Sequence, residues 1–413
     1  MGGREARRDI EARLDEAAGL AAAIGIEVVE RLHFKIRGPK PATLFGSGQM
    51  EMIREAVERS GAELLIVDAP ITPIQQKNLE TGAKAKVIDR TGLILEIFGE
   101  RAATSEGRLQ VELAHLDYQA GRLVRSWTHL ERQRGGFGFL GGPGETQIEA
   151  DRRLIRDRMA KLKKELEQVT RTRTLHRSRR QRAPWPVIAL VGYTNAGKST
   201  LFNRLTNAGV MAENLLFATL DPTMREISLP GFDKAILSDT VGFISELPTQ
   251  LVAAFRATLE EVISADLIIH VRDISHPDSD AQRQDVETVL AEIGVRQEGG
   301  APLIEAWNKI DLLDDEQSER VHAEAARRED VILISAISGE GLDTLLDCAG
   351  SHLRKGAKVR RITLPAEAGE AIAWLHANGE IVSEERGGSE TAFEVRLSDA
   401  DWARFQARQV QRA

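Results

Sequence analysis

Cysteine is all but missing from this 413-residue chain, which holds only Cys348. A single thiol can form no internal disulfide and no thiolate metal cluster, and its setting in an apolar-patterned helical stretch reads as buried filler. No run of 18 apolar residues occurs, which excludes a membrane-spanning helix. The first residues, Met1-Gly2-Gly3-Arg4-Glu5-Ala6, lack the apolar centre of an export signal, and Ala6 stands where a myristoylation motif needs Ser or Thr. A cytoplasmic location is expected. Excess positive charge is also absent: the net charge is −8, which argues against a general basic coat but leaves room for a local patch. What remains is ordinary for a globular chain, with 42% apolar and 29% charged residues and length enough for two to four domains.

The stretch Gly192-Tyr193-Thr194-Asn195-Ala196-Gly197-Lys198-Ser199-Thr200 organises the sequence. It follows the β-branched run 187–191 and precedes a helical pattern, the setting in which G-x-x-x-x-G-K-[ST] wraps a polyphosphate. Gly192 and Gly197 let the backbone approach closely, and the loop N–H groups and the helix N-terminus point positive dipole at the anion. Lys198 adds a point charge for the β and γ phosphates, and the Ser199 hydroxyl is placed to hold Mg2+.

Four further motifs follow in the order a GTPase needs. Phe217-Ala218-Thr219-Leu220-Asp221-Pro222-Thr223 has the position of a first switch, where one threonine offers its hydroxyl to Mg2+ and its N–H to the γ-phosphate. By spacing, Thr219 and Thr223 are both candidates. Asp239-Thr240-Val241-Gly242 closes a strand-like run, so its carboxylate can reach Mg2+ through water and the Gly242 N–H can bond the γ-phosphate. Asn308-Lys309-Ile310-Asp311 selects the base, because the Asp311 carboxylate accepts from two donors on guanine where adenine presents an acceptor. Such polar pairing rejects the wrong partner by about 10⁴-fold or more. Ser335-Ala336-Ile337 supplies a backbone N–H to the base oxygen. Lys198, the switch threonine, Gly242 and Mg2+ would together stabilise charge developing on the transferred phosphate. After Asp-x-x-Gly, many Ras-like GTPases carry a Gln that orients water; here Phe243 stands instead, so slow intrinsic hydrolysis is expected, with water positioned by backbone or a partner.

Strands expected at 187–191, 234–238, 267–271, 302–306 and 331–334 alternate with helices and predict a doubly wound α/β domain over 184–356, with every motif at the carboxyl ends of its strands. Residues 1–112 read as a smaller α/β domain: a surface helix at 4–24, strands at 27–32, 64–67 and 87–88, and helices at 48–60, 73–82 and 93–100. Residues 113–183 read as a helical hairpin, its helices at 106–132 and 145–180. Its Gly-rich loop 135–144 presents Phe137, Phe139 and Leu140, rings on which splayed RNA bases could stack. The second helix turns basic: 152–182 holds thirteen basic residues against three acidic, +10 in a chain that totals −8, the footprint of a polyanion site. Residues 357–413 read as a small α/β appendage, with strands at 360–364, 379–383 and 391–397 and helices near 366–377 and 399–409.

With these motifs assembled, the chain resembles the HflX family of GTPases over roughly residues 20–355. The resemblance is carried by Gly144–Arg153, Gly192–Ser199, Phe217–Thr223, Asp239–Phe243 and Asn308–Asp311, with support from Gln75–Glu80 and Val87–Thr91. It implies a ribosome-associated GTPase that binds GTP and GDP, engages the large ribosomal subunit, and splits stalled or idle ribosomes. It implies Mg2+ on Ser199 and Thr219, and a loop tip that reaches ribosomal RNA near the peptidyl-transferase centre. Members usually carry a basic residue in that loop, where this chain has Phe139-Leu140-Gly141. A monomer is expected. Two rival readings are a large-subunit assembly GTPase that does not split ribosomes and a nucleotide-gated scaffold whose arm binds a protein.

Overall fold

The computed structural model describes residues 9–133, 143–180, 185–206, 217, 223–245, 256–295, 300–355, 357–365, 367–387, 390–398, 402 and 405–406, with arm side chains described up to Arg122 and over 150–169.

The chain opens with α1 (Ile10–Ala22), α2 (Ser47–Ser60), β1 (Leu64–Val67), α3 (Pro73–Ala83), β2 (Lys86–Asp89) and α4 (Arg90–Arg101). Strands β1 and β2 pair in parallel, Leu64 opposite Lys86 through Val67 opposite Asp89. Helix α3 starts where Thr72 and Gln75 form a reciprocal capping box and Pro73 pre-sets the first turn. Helix α4 starts three residues before the expected 93, because the Asp89 carboxylate accepts the Gly92 N–H at 2.8 Å and caps it. The strand expected at 27–32 does not form: that segment has no ladder partner among the described residues, and Val28 and Val29 are exposed.

The arm consists of α5 (Ser105–Gln133) and α6 (Pro143–Arg180). They lie alongside each other, with Leu162 buried and Arg158 paired to Glu112 at 2.7 Å. Helix α5 runs without a break through the boundary expected at 112/113. Of the loop expected at 135–144, residues 135–142 lie outside the described residues, while Pro143 and Gly144 already belong to α6. Proline suits a first helical turn, where its missing N–H is not needed.

Next come β3 (Val187–Val191), α7 (Lys198–Thr206), β4 (Thr223–Leu229), β5 (Phe232–Asp239), α8 (Arg256–Ile263), β6 (Leu267–Asp273), α9 (Ser279–Glu292), β7 (Leu303–Asn308), α10 (Asp315–Ala325), β8 (Val331–Leu333) and α11 (Leu342–Lys355). The sheet order is β4-β5-β3-β6-β7-β8. The five expected strands are parallel, and the sixth, β4, adds antiparallel to β5 at one edge. Its residues alternate, with Ile227 and Leu229 buried, but they follow the first switch so closely that the sequence reading ended that switch at Thr223. One face of the sheet buries Ile188, Leu190, Ile269 and Ile304 with Leu201, Phe202 and Leu345. The other face buries Ala189, Val191 and Ile268 in a core that continues into α4 through Leu93, Ile97 and Phe98. Phe98 meets Phe217 edge-to-face, ring centroids 4.7 Å apart.

Between β6 and β7 an ion cluster is buried. Glu305 accepts from Arg272 at 2.8 Å, Arg328 at 2.6 Å and the Trp307 indole at 2.8 Å. Burial alone would raise the Glu305 carboxyl, but these three donors together hold it down to about 2.

The last strands, β9 (Ala357–Pro365), β10 (Glu380–Gly387) and β11 (Glu390–Ser398), form an antiparallel sheet of order β10-β11-β9 with α12 (Gly369–Asn378) against it. Ile362, Leu364, Leu375, Phe393 and Val395 make a separate core. Of the helix expected at 399–409, only 402 and 405–406 are described.

Because Phe98 is buried between α4 and the sheet, Phe98→Ala is expected to lower stability by about 3–5 kcal/mol in urea unfolding. A loss below about 1 kcal/mol would show that this junction is not a continuous core.

Candidate functional site

The parallel pairing of β3 with β5 and β6 puts Gly192–Ser199 and Asp239–Phe243 side by side at the carboxyl edge of the sheet. Gly197 has φ +96°, and a Cβ there would lie 2.2 Å from Asn308 Nδ2, so no other residue fits. Asn308 is buried and ties the site together: Nδ2 donates to Ala196 O at 2.8 Å, and Oδ1 accepts the Ala336 N–H at 2.9 Å. Asn308 thus bridges the phosphate loop and residues 335–337. Of the three N–H groups in the segment 335–337 expected to supply one to the base oxygen, that of Ala336 is engaged by Asn308 in this conformation. Ser335 is buried, Ile337 exposed. Lys309 takes the left-handed conformation, φ +68°, and its ammonium meets Asp273 at 2.7 Å, so the chain turns into the short helix 310–312 with Asp311 exposed.

Lys198 is buried, and its Nζ donates to Tyr193 O at 2.7 Å, which aims the amine along the loop before any anion arrives. Burial lowers its pKa to about 8, with Asp239 opposing the shift. A polyphosphate beside it would restore the charged form. The Ser199 hydroxyl donates to Asp239 Oδ2 at 2.8 Å. Two hard oxygen donors this close suit Mg2+, which takes few protein ligands and keeps several waters. Among the described residues no cluster of three His, Cys, Asp or Glu side chains could hold a metal by itself. Thr240 donates its hydroxyl to Leu190 O at 2.6 Å, pinning β5 to β3, and Val241 is buried. Thr194 is buried and Asn195 turns the loop at φ +59°; Thr200 lies in the first turn of α7.

The segment after Asp239, a candidate second switch, is folded onto the phosphate loop. The Phe243 N–H donates to Gly192 O at 3.0 Å, and the Thr194 N–H donates to Phe243 O at 2.7 Å. Gly242 lies against Thr194 and Lys198: a Cβ there would be 2.9 Å from Thr194 Cα and 3.1 Å from Lys198 Nζ. Phe243, the residue in place of Gln, is buried in the core shared with α4. It therefore packs the switch, and both its backbone polar groups are taken by the loop. Of the first switch, Phe217 is buried against Phe98, while Ala218, Thr219, Leu220 and Asp221 lie outside the described residues.

The sequence reading missed two features. The Tyr193 ring leaves the loop, and its hydroxyl bonds Glu16 and Ser245, contacts described below that no local motif encodes. His270, on β6 beside Val191, is buried, with no partner for its Nδ1 among the described residues. Burial lowers its pKa to about 3, with Glu305 opposing and Arg272 assisting, so it is neutral when folded. A depressed folded value against about 6.5 unfolded means its stability contribution is full above about pH 6.5 and is lost as pH falls toward 3. Wild type should therefore lose stability on acidification with a slope up to about 1.4 kcal/mol per pH unit greater than that of His270→Leu, read from urea unfolding at stepped pH. Equal slopes for the two proteins would show that His270 titrates normally.

Comparison with known proteins adds the family. The family described as GTP-binding GTPase N-terminal matches residues 11–99, and GTP-binding GTPase Middle Region matches 101–180. The family described as 50S ribosome-binding GTPase matches 187–309, and the HflX C-terminal domain matches 320–412. GTPase HflX of Magnetococcus marinus is 51% identical, covering 95% of this chain and 90% of its own. GTPase HflX of Escherichia coli is 42% identical, covering 95% and 91%. A solved structure of a GTP-binding protein from Sulfolobus solfataricus in complex with GDP is 27% identical, covering 83% of this chain and 95% of its own, with a TM-score of 0.43. With matches of this identity over nearly all of its length, the chain belongs to the HflX family and is a GTP-hydrolysing enzyme.

Proposed function

We propose that this GTPase is a nucleotide-driven factor that binds the large ribosomal subunit and splits stalled or idle ribosomes. The observation that carries this reading is the pairing of a guanine-nucleotide site with a positively charged rod. Along α6, Arg153, Arg156, Lys161, Lys163 and Lys164 are all exposed, within a segment of net charge +10. A stripe of that density suits the phosphates of ribosomal RNA. The match of residues 187–309 to the 50S ribosome-binding family supports the same partner, as do the names of the relatives. The Gly-rich tip, residues 135–144, would touch RNA by stacking Phe137 and Phe139 rather than by a basic side chain.

In this reading Lys198, Thr219 and the Gly242 N–H face the transferred phosphate, and Ser199 and Thr219 hold Mg2+ with Asp239 behind them. The metal supplies charge neutralisation to the β and γ oxygens. Gly192–Thr200 and Phe217–Asp221 enclose the phosphates, and Asp311 and the 335–337 backbone select guanine. Phe243 offers no hydrogen bond to water, so the attacking water is oriented by backbone or by the docked ribosome, and unstimulated turnover is slow. The γ-phosphate orders both switches and favours the ribosome-bound form; hydrolysis releases it. The protein acts as a monomer in the cytoplasm.

Four outcomes are expected. Lys198→Ala abolishes GTP turnover, and Asp311→Ala lowers the preference for GTP over ATP by about 10²-fold or more, measured by competition binding. Replacing Arg153, Arg156, Lys163 and Lys164 by Ala weakens cosedimentation with ribosomal particles and lowers the slope of log affinity against log salt by roughly one for each phosphate no longer neutralised. With a non-hydrolysable GTP analogue, gradient profiles of intact ribosomes shift to free subunits; profiles that stay associated would favour the assembly-factor reading instead.

A further inference from the structure

A phosphate-binding loop works through its backbone, its lysine and its hydroxyl, and its second residue needs no particular side chain. This chain carries the large, polar Tyr193 there, and the ring is buried. Its hydroxyl donates to Glu16 Oε2 on α1 at 2.6 Å and accepts the Ser245 N–H at 2.8 Å. One oxygen therefore joins three elements: the loop, the end of the second switch, and the N-terminal unit.

The carboxylate it meets is held in place. Glu16 pairs with Arg90, which is itself buried and also bonds Asp68. The Arg90 guanidinium reaches across the junction to Ser245 O at 3.2 Å and Ser245 Oγ at 2.9 Å, and that hydroxyl donates to Glu16 Oε1 at 3.1 Å. Glu16 and Asp68 hold the guanidinium charged against burial, raising its pKa above the usual arginine range. The Tyr193 ring itself belongs to the shared core, with Leu93, Val241, Phe243 and Ile244. Tyr193 and Arg90 are both buried, so a polar group of either that loses its partner is poorly compensated by water.

The residue before Arg90 faces the arm. The buried Asp89 accepts the Tyr118 hydroxyl at 2.6 Å and Arg122 at 2.6 Å, both from α5. Asp89 and Arg90 are consecutive at the start of α4, one committed to the arm and the other to the switch. The short bridge between Phe243 and the loop is where a second arrangement would arise: a γ-phosphate that recruited the Gly242 N–H would pull on it, and Ser245 would move with it.

We propose that Tyr193 is a positioning residue: its hydroxyl couples the second switch to Glu16 and Arg90, so that nucleotide state is transmitted to the start of α4 and the base of α5. The coupling rests on the reading of residues 239–245 as a switch. Coupling of this kind is reciprocal, so an arm displaced by a bound partner would also bias the switch.

The test is hydrogen exchange of the full chain, bound to GDP or to a non-hydrolysable GTP analogue, in wild type, Tyr193→Phe and Glu16→Gln. Tyr193→Phe keeps the ring, and Glu16→Gln keeps the side-chain volume; thermal midpoints confirm folding. In wild type, exchange over both 240–245 and 90–98 should differ between the two nucleotides. In either variant the difference over 240–245 should persist, while that over 90–98 should shrink about three- to tenfold, the worth of one net hydrogen bond. The ratio of affinities for GDP and analogue should change in each variant, with the double variant no different from either single one. General loosening would weaken both nucleotides alike and leave that ratio unmoved. A response over 90–98 that survives in both variants, that is absent in wild type, or variant effects that multiply independently, overturns the proposal. Absence of any wild-type difference over 240–245 would also sink the switch reading itself, and so separates the two failures.

Discussion

The adjacency of β3 and β5 is the constraint on which the rest depends. Two parallel strands side by side deliver their following segments to the same edge, so the phosphate loop and the Asp239 segment meet without any long-range search. The hydrogen bond from Ser199 to Asp239 and the backbone bonds of Phe243 to Gly192 and Thr194 all follow from that register. Asn308 extends the same logic to the next strands, because β7 ends where its amide can reach both Ala196 O and the Ala336 N–H. A side chain buried there with both ends engaged fixes the geometry of loop and base segment together.

Much of this was legible in the chain itself. The phosphate loop, the Asp239 segment and Asn308–Asp311 are local patterns whose chemistry is carried by adjacent residues, and each strand feeding them is a continuous apolar run. Two kinds of feature were not legible. Strand β4 alternates buried and exposed residues like any edge strand, but it follows the first switch so closely that its start was read as part of that loop. At 27–32 the reverse holds: the residues look like a strand, yet nothing among the described residues pairs with them. Ladder partners, unlike helix caps, lie far away in sequence.

The junction between the N-terminal unit and the sheet was invisible for the same reason. Glu16, Arg90 and Tyr193 are spread over 177 positions, and nothing in their neighbours marks them as partners. Phe243 shows how the two levels differ. As a sequence departure it indicated only that a water-orienting amide was missing. In the fold it belongs to a core with Phe98, Phe217 and Ile244, so one residue from each candidate switch segment takes part in the packing between units. A switch segment in such a core cannot rearrange without disturbing its neighbours, since close-packed interiors are bistable rather than continuously deformable.

Helix α5 gives this junction mechanical reach. It spans 29 residues, so at 1.5 Å per residue its axis extends about 44 Å from its origin near α4. Tyr118 and Arg122 anchor its middle to Asp89, and the helix continues past them to Gln133. A stiff rod pivoting there by about 5° would sweep Gln133, roughly 17 Å beyond the anchor, through about 1.4 Å, and any element carried further out on the arm through proportionally more.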